Sequence, residues 1–183
     1  MKKTVIGAIV GGIILFVWQF LTWGALNLHQ KQQQYTPKQD SILAYLGTQF
    51  NEDGAYFMPT FPPGTSNKEM ETKMKAMEGK PWAQVVYHKK MEGMDKMFMN
   101  MSRSLVVDIF VVWLLCWLLV KIPSPSFGTI FAVTLGTGLI IFLNMPYTLH
   151  IWYGSFDLMA FFQDALISWG LTGLWLGWWL RRK

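Results

Sequence analysis

The chain has 183 residues, 52% hydrophobic and 15% charged, with ten Trp, thirteen Phe and a formal net charge of +5. That composition leans away from a soluble domain and toward a membrane protein. The positive charge does not make a nucleic-acid surface: six of the sixteen basic residues (Lys2, Lys3, Lys121, Arg181, Arg182, Lys183) flank apolar runs, the pattern that orients helices in a bilayer. A single cysteine, Cys116, rules out an intramolecular disulfide.

Residues 4–26 (TVIGAIVGGIILFVWQFLTWGAL) form an uncharged stretch of 23 residues preceded by Lys2 and Lys3. At about 1.5 Å per residue a helix of this length crosses a hydrocarbon core. The lysines predict a cytoplasmic N-terminus. The stretch is too long for the apolar region of a signal peptide, and no small-x-small site follows before Leu28, so it reads as a retained anchor. Gly7 and Gly11, with Ala8 and Gly12, place small residues on one side, where a second helix can approach closely. Trp18, Gln19 and Trp23 fall in the outer half of this span, and His29 just beyond it.

Residues 28–103 are the one extensive polar region and are expected outside the cytoplasm. QKQQQ reads as a solvated linker. Thr36-Pro37-Lys38-Gln39 has the form of a helix start, with Thr36 as the cap and Gln39 closing a capping box. Ile42, Leu43, Leu46 and Phe50 then follow at helical spacing. Residues 55–61 (AYFMPTF) read as a strand ended by Pro62-Pro63-Gly64. Ser66-x-x-Glu69 is a second capping box, opening a charged helix to about Gly79. Residues 82–88 (WAQVVYH) form a second strand. A helix–strand–helix–strand order makes a small α+β cap with little core of its own.

From about Met91 the chain is predicted to be helical without a break into a second span, residues 104–120. Lys121 and Pro123 mark a tight cytoplasmic turn. Residues 127–144 form the third span, with Gly128, Gly136 and Gly138 as packing positions, and residues 145–155 (MPYTLHIWYGS) an outer loop. Residues 157–180 form the fourth, ending in Trp175, Trp178, Trp179 and the basic C-terminus. The expected fold is an all-α transmembrane four-helix bundle with a small α+β extracytoplasmic insert between spans 1 and 2. Its divisions are residues 1–27 as the first span, 28–103 as the insert and 104–183 as a three-span block. Both termini are then cytoplasmic in a bacterial plasma (inner) membrane, with the bilayer as partner and a membrane protein or second copy as a further one, and no nucleic acid.

Asp164 sits some seven residues into the fourth span, where a carboxylate is costly and turns inward to a partner. Candidates at similar depth are Gln19, Arg103, Asp108 and Asn144, with His29 and His150 at the mouth. These seven residues define a polar pocket open to the outside. The commoner alternative for Asp164 is an interhelical hydrogen bond that locks the helices together. It is expected within reach of Arg103, Asp108 or Gln19, and an Asp108 partner would leave one carboxyl protonated. His29 and His150 are expected as interfacial side chains.

Eight of the twelve methionines lie between Met70 and Met101. Met91, Met94, Met97, Met99 and Met101 are soft thioether ligands suited to Cu(I), although packing is the commoner use of such residues. No catalytic or nucleotide-binding motif is present, which weighs against an enzyme and leaves no catalytic residue to name. No resident cofactor is expected beyond copper. A proton-coupled transporter or membrane enzyme using Asp108 and Asp164 is the third reading, after a solute or partner binder and copper handling.

The segments GGIILFVWQFLTWGALNLH and IWYGSF resemble a group of small bacterial inner-membrane proteins that have a Gly-rich first span ending in Trp and His, an extracytoplasmic insert and three further spans. The resemblance implies that topology and a bacterial origin, and no particular activity.

Overall fold

The computed structural model describes residues 2–182; Lys183, one of the basic residues of the C-terminal flank, lies outside the described residues. The chain forms two compact units, Met1–Gln34 with Met94–Lys183, and Tyr35–Gly93.

The first unit is helical. α1 (Lys2–Phe20) continues through a π-helical turn, Leu21–Ala25. α4 (Met94–Leu119), α5 (Phe127–Phe142), α6 (Thr148–Tyr153) and α7 (Leu158–Trp179) complete it. Three helical stretches are long and apolar enough to cross a membrane: Lys2–Ala25, Met94–Leu119 and Phe127–Tyr153. α7 is also long, at 22 residues, but Gln163, Asp164 and its tryptophans keep it out of that group on composition. It packs against both α1 and α5, while α4 also packs against α1; Gly7 and Gly11 of α1 face side chains of both α4 and α7.

The helices run antiparallel to their neighbours. Near one end Trp179 and Trp175 of α7 donate to the carbonyls of Lys3 (2.8 Å) and Gly7 (3.1 Å) in α1. Near the other, Trp18 of α1 donates to Asp164 of α7 (2.9 Å). Lys3 also reaches the carbonyl of Arg182. The core is made by Leu15, Val112, Leu115, Cys116, Leu119, Ile130, Trp169 and Leu176. Apolar side chains also cover the outward faces, among them Ile6, Ile13, Val17, Phe110, Leu118 and Ile140, the surface a bilayer would solvate.

Small residues set the closest helix contacts. A Cβ on Gly12 would lie 2.5 Å from the Cα of Ile109, so α1 and α4 touch backbone to backbone there. Gly138 stands against the Trp169 ring, where a Cβ would lie 2.4 Å from the indole. Gly136 has no atom within 4 Å, and Gly128 meets only the Ser126 hydroxyl at 3.8 Å. Of the three glycines expected to pack on the third span, Gly138 alone does so closely.

One helix end departs from expectation. The third span does not stop at Asn144: a π-helical turn, Leu143–Tyr147, carries the helix on into α6, so the expected outer loop is largely helical. Pro146 cannot donate a helical hydrogen bond, and the wider turn accommodates it. Gly154, at φ 60°, ends α6.

The second unit has α2 (Gln39–Gln49), β1 (Gly54–Met58), α3 (Asn67–Met77) and β2 (Ala83–Tyr87) in the expected order. β1 and β2 pair antiparallel, Gly54 opposite Tyr87 and Met58 opposite Ala83. The Ser66–Glu69 capping box forms as expected. The Thr36 box does not: the Thr36 hydroxyl turns to the Lys38 N–H (3.4 Å), and the helix begins after Lys38 without a side-chain cap. None of the residues in α2, β1, α3 or β2 is fully buried; Phe50 stacked on Tyr56 (3.8 Å) and edge-on to Tyr87 (5.3 Å) is the main apolar contact.

Candidate functional site

The π-helical turn at the end of α1 begins the site. Leu26 N–H bonds to Leu21 (2.7 Å) and Leu28 N–H to Thr22 (2.9 Å), while Asn27 takes a left-handed conformation at φ 50°. Asparagine tolerates that region better than most side chains. The chain therefore folds back on the helix end, and His29 enters the helical unit at 2% exposure. The ring is buried against its neighbours there.

Both ring nitrogens of His29 meet carboxylates. Nδ1 lies 3.1 Å from Asp157 Oδ2 and Nε2 lies 2.9 Å from Asp164 Oδ2. Asp157 and Asp164 are seven residues apart, about two turns, so both carboxylates project from one side of α7. The imidazole is long enough to fill the gap between them. Trp23 stacks on its face at 3.9 Å with planes 6° apart, and Phe161 closes another side at 4.8 Å. The second oxygen of Asp164 accepts from Trp18 Nε1, and that of Asp157 is buried without a partner.

A ring protonated on both nitrogens donates to both carboxylates. With one proton removed, a nitrogen lone pair faces a carboxylate oxygen, and that contact holds only if the carboxyl carries the proton. The acids sit on opposite sides of the ring and do not converge on a common point; among the described residues no group of three or more His, Cys, Asp or Glu is arranged to hold a metal ion.

A second polar pair forms between α1 and α4. Gln19 Nε2 donates to Asp108 Oδ1 (3.2 Å), and Gln19 Oε1 accepts from Ser104 (3.4 Å). Asp108 is buried and its Oδ2 has no partner. Asp164 thus finds Trp18 and His29, rather than the Arg103, Asp108 or Gln19 expected for it.

The remaining sequence candidates lie apart from this arrangement. Arg103 and Asn144 are exposed, and His150 Nδ1 bonds to the Ser155 carbonyl at 2.8 Å. These three do not join His29 in one pocket. Asp157, Trp18, Trp23 and Phe161 were not foreseen as partners, although the seven-residue spacing of Asp157 and Asp164 was visible. In the methionine run, α4 places Met94, Met97 and Met101 on one face and Met99 on another, and Met91 precedes the helix. Met91, Met94, Met97 and Met99 are exposed. On the second unit a groove of about 440 Å³ is lined by residues that include Phe57, Phe61, Met74, Met77 and Trp82.

The helices and their apolar outer faces have the make-up of a membrane protein. Comparison of the chain with protein-family models, curated proteins and solved structures finds no match.

Proposed function

We propose that the chain is a four-span bacterial plasma-membrane protein with both termini cytoplasmic and residues 28–103 outside. It works as a non-enzymatic binder, taking a small solute at the polar cluster around His29, while the groove of the outer cap offers a surface for a partner protein. The fourth span is argued from packing: α7 lies against α1 and α5, two helices that qualify as spans, and Asp164 turns to Trp18 of α1.

The observation that carries the binding reading is the buried Asp157 Oδ1, left without a donor beside a histidine fully committed to two acids. A cluster serving only to lock helices satisfies its buried acceptors. The excess of two acids over one base favours a small organic cation. Thermal unfolding of the full chain in detergent, with methylammonium or with sodium acetate added, tests this. The expected result is a rise in midpoint with methylammonium alone, abolished by Asp157→Asn. No rise, or an equal rise in that variant, ends the reading.

Copper handling is the second reading, and it draws on the exposed thioethers of Met94 and Met97 on one face of α4 with Met101. Wild-type protein without measurable Cu(I) binding would remove it.

A further inference from the structure

Three indoles stand at the end of the helical unit where α7 finishes and α1 starts. Trp175 and Trp179 turn inward and donate to α1 carbonyls. Trp178 turns outward instead, 48% exposed, with the Arg182 guanidinium over its ring at 4.0 Å. Lys3 of α1 meets the Arg182 carbonyl, so cations from two helices come together there. α4 finishes at the same end, since Gly7 of α1 faces Cys116. Its Trp117 is half exposed too, and Lys121 lies 5.4 Å over that ring.

Two helices thus close in the same way, with an outward indole and a cation four residues further on. Each pair finishes a strip of exposed apolar side chains: Leu171, Leu174 and Trp178 on α7, and Phe110, Leu114 and Trp117 on α4. Steps of three and four residues put each strip and its cation on one helix face.

Lys2, Lys3, Lys121, Arg181 and Arg182 gather at this end, whereas the acids of the helical unit, Asp95, Asp108, Asp157 and Asp164, belong to the other. Among the described residues, none of the five cations has an acid within ion-pair distance. Helix dipoles favour cations after α4 and α7 but oppose Lys2 and Lys3, which stand at the start of α1. Orientation in a bilayer asks only for charge in the flanks. It does not call for a guanidinium seated on an outward ring at the limit of an apolar strip.

We propose that this end of the helical unit binds the phosphodiester headgroup of an anionic phospholipid, chiefly at Trp178, Arg182 and Lys3. The Arg182 fork stacks on the indole and keeps its N–H edge for phosphate oxygens, and Lys3 adds a second charge. The acyl chains follow Leu174 and Leu171 along α7. A zwitterionic lipid brings a cation of its own into a patch that already holds five, so the surface selects a headgroup of net negative charge. Soluble phosphate makes no use of the apolar strip.

The proposal rests on the reading that these helices lie in a bilayer. Retention of the full chain in vesicles through an alkaline carbonate wash tests that reading separately, and a chain that washes off overturns both. The site itself is read by native mass spectrometry of the full chain in detergent. The probes are short-chain phosphatidylglycerol, short-chain phosphatidylcholine and glycerol 3-phosphate, and phosphatidylglycerol should bind tightest. Arg182→Gln and Lys3→Gln should each weaken it about fivefold, the worth of one basic side chain at a lipid surface. Trp178→Leu keeps apolar bulk but removes the ring face, and should weaken it about two- to fivefold. Lys38→Gln, at an exposed lysine of the second unit, should change nothing. Equal binding of the two lipids, or an equal loss in Lys38→Gln, overturns the proposal. So does glycerol 3-phosphate binding as tightly as phosphatidylglycerol, which would make this a site for soluble phosphates.

Discussion

His29 and Asp157 are 128 positions apart, yet Nδ1 and Oδ2 lie 3.1 Å from each other with both side chains at or below 1% exposure. This contact ties the fold-back after α1 to the start of α7. It makes the polar site part of the fold, since the same bond that orients the imidazole also fastens two distant segments.

Removing His29 should therefore cost stability. His29→Ala leaves two carboxylates, one of them fully buried, without their shared donor; truncating one partner of a buried charged set costs roughly 3–5 kcal/mol. The companion change Asp157→Asn removes one of the stranded charges, so the double variant should recover about 1 kcal/mol relative to the sum of the singles. Denaturant titration in detergent measures all three, and strict additivity would show that the two side chains do not interact.

The apolar helices and their order were legible because hydrophobic run length reports directly on a helix in lipid. So was the Ser66–Glu69 box, a local motif whose partners are three residues apart. The site was legible only in part. Gln19, Asp108 and Asp164 stood out as polar atoms in apolar runs, but their pairings depend on helix rotation, and no local pattern encodes that. The burial of His29 was not legible, because the widened turn at Leu21–Ala25 and the left-handed Asn27 that reverse the chain leave no mark in the hydropathy. Arg103 and Asn144 shared the right depth on the wrong helix face.

Gly12 offers a test of the α1–α4 contact that carries Gln19 to Asp108. Its Cβ would sit 2.5 Å from Ile109 Cα and 2.6 Å from Ile109 N, backbone atoms that cannot rotate away. Gly12→Ala should cost about 1–3 kcal/mol as overpacking. Gly136→Ala, at an open position, should be neutral or gain up to about 1 kcal/mol of helix propensity. Equal stability of the two variants would contradict the close approach.

The second unit supplies a pH prediction. Glu69 is held below its ordinary 4.5 by the hydrogen bond from the Ser66 hydroxyl, then by the Ser66 backbone N–H and the nearby Lys73. Its folded value is the lower one. The stabilisation is thus fully present above the unfolded-chain value and is lost as pH falls through the folded value. α3 should hold from neutral pH down to the carboxylate range and fray below it. Ser66→Ala should fray it at every pH, at a cost of about 1 kcal/mol. Amide exchange across Asn67–Met77 reads both effects, and fraying that instead begins near pH 6 would implicate a histidine.

Asp164→Asn separates charge from shape at the centre of the site. Asp164 accepts from two donors, Trp18 at 2.9 Å and His29 Nε2 at 2.9 Å. The two donors face different oxygens, and asparagine replaces one of these with NH₂, so only one donor keeps an acceptor opposite it. Indole nitrogen is a donor only, which assigns the oxygen to Trp18 and turns the NH₂ toward His29. The ring must then accept at Nε2 and keep its proton on Nδ1, facing Asp157. The substitution should fix a single neutral tautomer while preserving every contact distance, with a stability loss of about 1–2 kcal/mol for exchanging a charge-assisted bond for a neutral one. Ring ¹⁵N spectra decide it: the protein has three histidines, and His29→Gln identifies the relevant signals. In Asp164→Asn, Nε2 should show the shift of a bare nitrogen and Nδ1 that of a protonated one. A His29 ring still protonated on both nitrogens would mean that Asp157 alone holds its charge, and that Asp164 serves Trp18 rather than the imidazole.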